Sequence, residues 1–191
     1  MNIGLYFGSF NPIHYGHLIL AQTMLNETPL NALWFIVSPQ NPFKKKQNLL
    51  NEYDRLRMVE LALEDNDQML ASNVEFSLPR PSYTIDTLTH LADQYRSYQF
   101  NLIMGADNLK HLPKWKNGQT ILKYYHIYAY PRSTATNSSL DDHPAVTIVE
   151  APLLNISATY IRKSIQEKKS IKYLMPESVR DYIRHNRLYE V

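Results

Sequence analysis

"NIGLYFGSFNPIHYGHLILAQTML", residues 2–25, decides the reading of the chain. Asn2 to Gly8 is a short apolar run of the kind buried inside a sheet, and Leu18, Ile19, Ala21, Gln22 and Leu25 continue it as a helix. Between them Gly8-Ser9-Phe10-Asn11-Pro12 forms a turn, in which Pro12 limits the backbone while Gly8 and Gly16 permit close backbone approach. His14 and His17 then stand three residues apart at the mouth of the helix. A helix N-terminus offers free amide donors and partial positive charge, which suit phosphate. Imidazoles placed there add donors that become cationic beside a polyphosphate. Such a pair can stabilise charge growing on a transferring phosphoryl group or its leaving pyrophosphate. Taken alone, H-x-x-H also fits helix capping or a metal pair, because histidines at that spacing share a face. No third metal ligand is evident nearby, and the Gly-Ser-Phe-Asn-Pro turn favours phosphate.

The rest of the chain repeats this alternation. "ALWFIVS" (32–38) reads as a second strand, followed by a helix that Asn51 or Asp54 starts. "SNVEFS" (72–77) reads as a short strand, Pro79–Ser82 as a loop, and "TIDTLTHLADQY" (84–95) as a helix with Ile85, Leu88 and Leu91 on one face. "FNLIMG" (100–105) is a strand, and "ADNLKHL" opens a helix after it. "YHIYAY" (125–130) is a strand ending at Pro131, 133–144 a polar, mobile loop, and "AVTIVEA" (145–151) the last strand. Helices are expected near 157–166 and 177–185. Strands alternating with helices predict an α/β, Rossmann-like, doubly wound and mostly parallel sheet with helices on both faces. Ligands of such sheets bind beyond the carboxyl ends of the strands, where the strand order reverses, and the opening turn sits at such an end.

Bulk properties exclude several classes. At 191 residues the chain suits one domain, 1–191, with a short C-terminal helical part from about 157. Hydrophobic residues make up 44%, in the globular range, and no apolar run approaches the length that spans a bilayer. The start carries neither a basic region nor a small-residue cleavage site, and cysteine is absent, so a cytoplasmic address is expected with neither disulfides nor thiolate metal sites. A formal charge of +2 and the lack of a basic aromatic platform argue against nucleic acid. A homo-oligomer is left open.

Several motifs carry a resemblance. "GSFNPIHYGH" (8–17) resembles the H-x-G-H motif of the nucleotidyltransferase superfamily, and "ISATYIR" (156–162) resembles its I-S-[ST]-T-x-[IV]-R motif. "PSYTIDTL" (81–88), "GADNLKHLPKW" (105–115) and the ending "YLMPESVRDYIRHNRLY" (173–189) resemble the bacterial nicotinate mononucleotide adenylyltransferases, so the likeness covers essentially the whole chain. It implies transfer of the adenylyl group of ATP to nicotinate mononucleotide in NAD biosynthesis, with Mg²⁺ carried on the substrate phosphates.

The resemblance also implies roles by position. Gly8, Ser9, Phe10, His14, His17, Gly105, Asp107, Ile156, Ser157, Thr159 and Arg162 would hold ATP, with His14, His17, Arg162 and Lys44 as the charge-stabilising catalytic set. Ser82, Tyr83, Thr84, Trp115 and Arg132 would hold the mononucleotide. Trp115 would stack on the nicotinate ring, Thr84 would receive its carboxylate, and Asp86 would help shape the loop. Arg55 falls where the family has a helix arginine. The chain departs from the family pattern at Phe7, Phe43 and Ala158, where glycine, histidine and serine are usual. The alternatives are adenylyl transfer to nicotinamide mononucleotide or phosphopantetheine, or a non-catalytic nucleotide-binding domain of the same fold.

Overall fold

The computed structural model describes residues 1–39, 49–131, 138–152 and 154–190. Six strands form one sheet: β1 (Asn2–Gly8), β2 (Ala32–Val37), β3 (Met69–Ser72), β4 (Gln99–Gly105), β5 (His126–Tyr130) and β6 (Val146–Ile148). Their spatial order is β3-β2-β1-β4-β5-β6 and every pair is parallel. The order runs outward in both directions from β1 and β4, so the switch point lies between these two strands.

Both faces of the sheet are covered, and the two-residue strand period sorts the side chains between them. Tyr6, Leu33, Phe35, Val37, Ile103, Tyr128 and Tyr130 point to one face. Ile3, Leu5, Ile36, Leu102, Met104, Ile127 and Ala129 point to the other. The first face is packed by α1 (Tyr15–Glu27), α2 (Glu52–Leu63), α6 (Ala158–Gln166) and α7 (Glu177–His185). The second is packed by α3 (Thr84–Gln94), the single turn α4 (Ala106–Leu109) and α5 (Gly118–Tyr124). Helix α3 buries Ile85, Leu88 and Leu91, each contributing about 1.5–3 kcal/mol.

Local chemistry sets the helix starts. Asn51, not Asp54, caps α2: its Oδ1 accepts from the Tyr53 amide at 2.8 Å, and Glu52 and Asp54 complement the first turn. Ser157 caps α6 by accepting from the Tyr160 amide at 3.2 Å. Helix α7 docks on α2 through Ser178, which donates to the Leu61 carbonyl, and Tyr182, which donates to Asp54, both at 2.9 Å.

Three expectations change. The strand expected over 72–77 lies at Met69–Ser72, and Val74–Phe76 is a 3₁₀ turn. Ser72 Oγ accepts from the Val74 amide and the Ser77 hydroxyl donates to the Val74 carbonyl, so hydroxyls draw the backbone away from the ladder. "ADNLKHL" makes only the one turn of α4, then a 3₁₀ turn at Leu112–Lys114. The unanticipated α5 follows, from Asn117, whose φ is 53°. Of the polar stretch 133–144, residues 133–137 lie outside the described residues, and Ser138–Pro144 forms turns.

Candidate active site

The carboxyl end of β1 runs into Ser9 and Phe10 beside the switch point. Phe10 has φ 42°, costly for a residue with a side chain, yet it is 2% exposed. Its ring packs edge-on or tilted against Tyr6, His17 and Phe35, which holds the backbone there. The close approach that the glycines permit comes from the chain's own rings. A Cβ on Gly8 would lie 2.6 Å from the Phe10 ring, and one on Gly16 would lie 3.0 Å from the His14 ring.

The two histidines form a stack, with ring centroids 3.8 Å apart and planes inclined by 25°. His14 is the N-cap of α1, and His17 sits in its first turn. His17 Nδ1 accepts from the His14 amide at 3.3 Å, which places the proton of a neutral His17 on Nε2 and makes that atom a donor. His14 is 5% exposed, its Nδ1 finds no hydrogen-bond partner among the described residues, and burial pushes its pKa down to about 4. Burial therefore keeps His14 neutral at physiological pH. A cationic form at this position requires an anion to arrive.

The second motif closes over the first. Arg162 donates through Nη1 to the Asn11 carbonyl at 2.8 Å and through Nη2 to Thr159 Oγ1 at 3.3 Å. The Ile156 carbonyl would be 3.8 Å from a Cβ on Gly16. The C-terminal tail holds the same turn, as the Tyr189 hydroxyl donates to Asn11 Oδ1 at 2.9 Å.

Arg55 is fully buried and donates to four carbonyls, those of Ser9, Ser38, Pro39 and Leu50, at 2.7–3.2 Å. It fixes the ends of β1 and β2 from beneath. Its place was legible in part, since Arg55, Met58, Val59 and Ala62 share the inward stripe of α2.

Across the switch point, Thr84 and Trp115 line one cavity of about 50 Å³, with Gly105, Asn108, Tyr6 and Tyr130 among its other walls. Thr84 is the first residue of α3 and Tyr83 its N-cap. Lys116 pairs with Asp86 at 2.8 Å and lies 4.7 Å from the Tyr83 ring centre, which ties the start of α3 to the Trp115 loop. Ser82 is buried and donates to Glu75 at 3.0 Å. Asp107 sits in the turn of α4 directly after Gly105. Lys44 and Arg132 lie outside the described residues. Sequence reasoning missed Glu75, Tyr189 and the Tyr6–Tyr130 pair, whose hydroxyls are 3.5 Å apart. The signal for Glu75 was one acid set within the apolar "NVEF".

A larger cavity of about 570 Å³ lies at the β3 edge, lined by Trp34, Tyr53, Phe76 and Tyr95 among others. Gly8, Ser9, Phe10, His14 and His17 are not among its lining residues. The smaller cavity is the one that Thr84, Gly105 and Trp115 line.

A sequence profile described as cytidylyltransferase-like matches residues 5–164. A protein of Cytophaga hutchinsonii named "Probable nicotinate-nucleotide adenylyltransferase" is 52% identical over 99% of this chain and 98% of its own length. The chain belongs to the cytidylyltransferase-like family, on its nicotinate-nucleotide adenylyltransferase branch. A relative of the same name from Flavobacterium psychrophilum is 48% identical over the full length of both chains. The solved nicotinic acid mononucleotide adenylyltransferase of Plasmodium falciparum, complexed with NaAD, superposes with a TM-score of 0.81 at 20% identity, covering 98% of this chain and 97% of its own. That likeness places this sheet order and helix arrangement in the cytidylyltransferase-like fold.

No helix among the described residues is long and apolar enough to cross a membrane. Nor do the described residues group three or more His, Cys, Asp or Glu side chains as a metal set.

Proposed function

We infer that the protein transfers the adenylyl group of ATP to nicotinate mononucleotide, giving nicotinate adenine dinucleotide and pyrophosphate. The observation that carries this reading is the juxtaposition at one switch point of a phosphate lip, bridged by Arg162 to Asn11, and a cavity walled by Trp115 and Thr84. The family membership supports the same donor and acceptor.

The chemistry follows from the groups present. An oxygen of the acceptor's 5′-phosphate forms a bond to the α-phosphorus of ATP, while the bond from that phosphorus to the β-phosphate oxygen breaks and pyrophosphate leaves. The attacking oxygen is already anionic, so no protein nucleophile is required. The chain supplies alignment and charge stabilisation. His17, through Nε2–H, and the amides of the α1 start would meet the charge growing on the leaving phosphates. His14 would position them and take up a proton as the polyphosphate raises its pKa. Arg162 and Lys44 would add fixed positive charge, with Gly8, Ser9, Phe10, Ile156, Ser157 and Thr159 lining the ATP path and Gly105 and Asp107 meeting the adenosine.

Trp115 offers an aromatic face to the nicotinate ring. Thr84 and the first amides of α3 offer donors to its carboxylate, with Ser82, Tyr83 and Arg132 around the mononucleotide. A cavity of about 50 Å³ is well below the roughly 300 Å³ of ordinary ligand pockets, so the acceptor would need the Trp115 side chain to turn outward to enter. Mg²⁺ bound to the ATP phosphates would neutralise part of their charge, beside the nitrogens of His14, His17 and Arg162 and the hydroxyls of Ser157 and Thr159. The whole chain acts as one nucleotidyltransferase unit, since Arg162 and Tyr189 from its C-terminal part grip the N-terminal turn.

The test supplies Mg²⁺, ATP and one acceptor at a time: nicotinate mononucleotide, nicotinamide mononucleotide or phosphopantetheine. Dinucleotide and pyrophosphate should form fastest with the acid. Equal rates with the amide would remove the acid preference, and no product with any acceptor would leave a nucleotide-binding domain.

A further inference from the structure

Glu75 lies outside every motif and is 2% exposed. Its Oε2 accepts from the Ser82 hydroxyl at 3.0 Å and its Oε1 from the Thr87 hydroxyl at 2.8 Å. Ser38, just beyond the end of β2, is close enough for its side chain to favour the charged form of this carboxylate. Ser82 and Thr87 flank the start of α3, where Thr84 reaches the acceptor cavity. Ser38 is also held through its carbonyl by Arg55 at 2.8 Å, and the same Arg55 Nη1 holds the Ser9 carbonyl of the phosphate lip at 2.7 Å. Two buried side chains of opposite charge type therefore meet at Ser38 without a direct ion pair between them. Arg55 reaches the ATP side and Glu75 the acceptor side.

We propose that Glu75 is a positioning residue for the acceptor: with Ser38, Ser82 and Thr87 it indexes the first turn of α3 to the Arg55-held phosphate lip. Rate in this reaction comes from placing one phosphate in line with another, and a displacement near 1 Å costs about 100-fold. Thr84 stands at the start of α3 and Ser9 just beyond β1, and no backbone hydrogen bond among the described residues joins the two. The Arg55–Ser38–Glu75 series fixes the spacing between them. A carboxylate suits the role because both of its oxygens accept, so two hydroxyls on neighbouring turns are held at once. A carboxamide of the same shape accepts through one oxygen only.

This inference rests on the adenylyltransferase reading, so the wild-type protein is first shown to form dinucleotide from ATP and nicotinate mononucleotide. No wild-type product removes that reading and this inference with it; wild-type product tests Glu75 separately. Thr87→Val should raise the acceptor KM about tenfold, the worth of one hydrogen bond to a charged group, with the ATP KM within about twofold of wild type. Thr87→Ser, which keeps the hydroxyl, should return the acceptor KM to within about twofold. Glu75→Gln should raise the acceptor KM by at least as much as Thr87→Val. Because the Thr87 pair leaves Glu75 in place, it stays informative if Glu75→Gln does not fold. An unchanged acceptor KM in Thr87→Val, equal losses in Thr87→Val and Thr87→Ser, or a parallel rise in the ATP KM would each overturn the proposal.

Discussion

Arg162 on α6 holds the main-chain carbonyl of Asn11 at 2.8 Å across 151 residues of sequence. Its second nitrogen holds Thr159 Oγ1, so two contacts orient the guanidinium. Arg162→Lys keeps the charge but cannot make both contacts from one planar fork. It should lower kcat/KM about tenfold, and Arg162→Ala about 100-fold, in an assay of dinucleotide formation. A lysine variant equal to wild type would reduce the residue to a point charge.

His17 carries a donor whose tautomer is set by the His14 amide. His17→Ala should lower kcat about 100-fold with the ATP KM changed by less than about threefold, because the contact strengthens as charge moves onto the leaving phosphates. A raised KM at unchanged kcat would mean that His17 serves ground-state binding instead.

His14 links the site to acid stability. Its pKa is about 4 when folded against 6.5 for the free side chain, because burial disfavours the cation. Between those values the unfolded chain binds the extra proton and the folded chain does not, so stability falls as pH drops from 6.5 towards 4. The full span is roughly 3 kcal/mol. Denaturant unfolding across this window should show a shallower pH slope in His14→Asn than in wild type. Identical slopes would assign the acid sensitivity to other groups.

Gly118 opens α5 immediately after the Trp115 turn. A Cβ there would stand 2.1 Å from the Leu112 carbonyl oxygen, which is backbone and cannot swing aside. Gly118→Ala should destabilise the fold by about 1–3 kcal/mol and separate the 3₁₀ turn from α5, displacing Trp115. Thermal melting together with separate KM values for the two substrates measures it. The acceptor KM should rise well above the ATP KM, and a loss of stability alone would uncouple Gly118 from the Trp115 face.

The sequence by itself determined the alternation of strands and helices, because apolar period and capping residues act over a few neighbours. Gly8 to His17 could be placed at the end of the first strand for the same reason, and Ser157 at the start of a helix. Such signals could not show that Ser72 and Ser77 would turn "SNVEFS" into a 3₁₀ turn, since local hydroxyl contacts there outcompete an edge ladder. Charge at long range was equally hidden. Only the packed sheet decided that Arg55 faces four carbonyls, that His14 is buried neutral against His17, and that Glu75 gathers the Ser82 and Thr87 hydroxyls at the start of α3. Residue type says that a group can ionise or donate. Burial and the direction of its neighbours, which exist only after distant segments pack, set what it does.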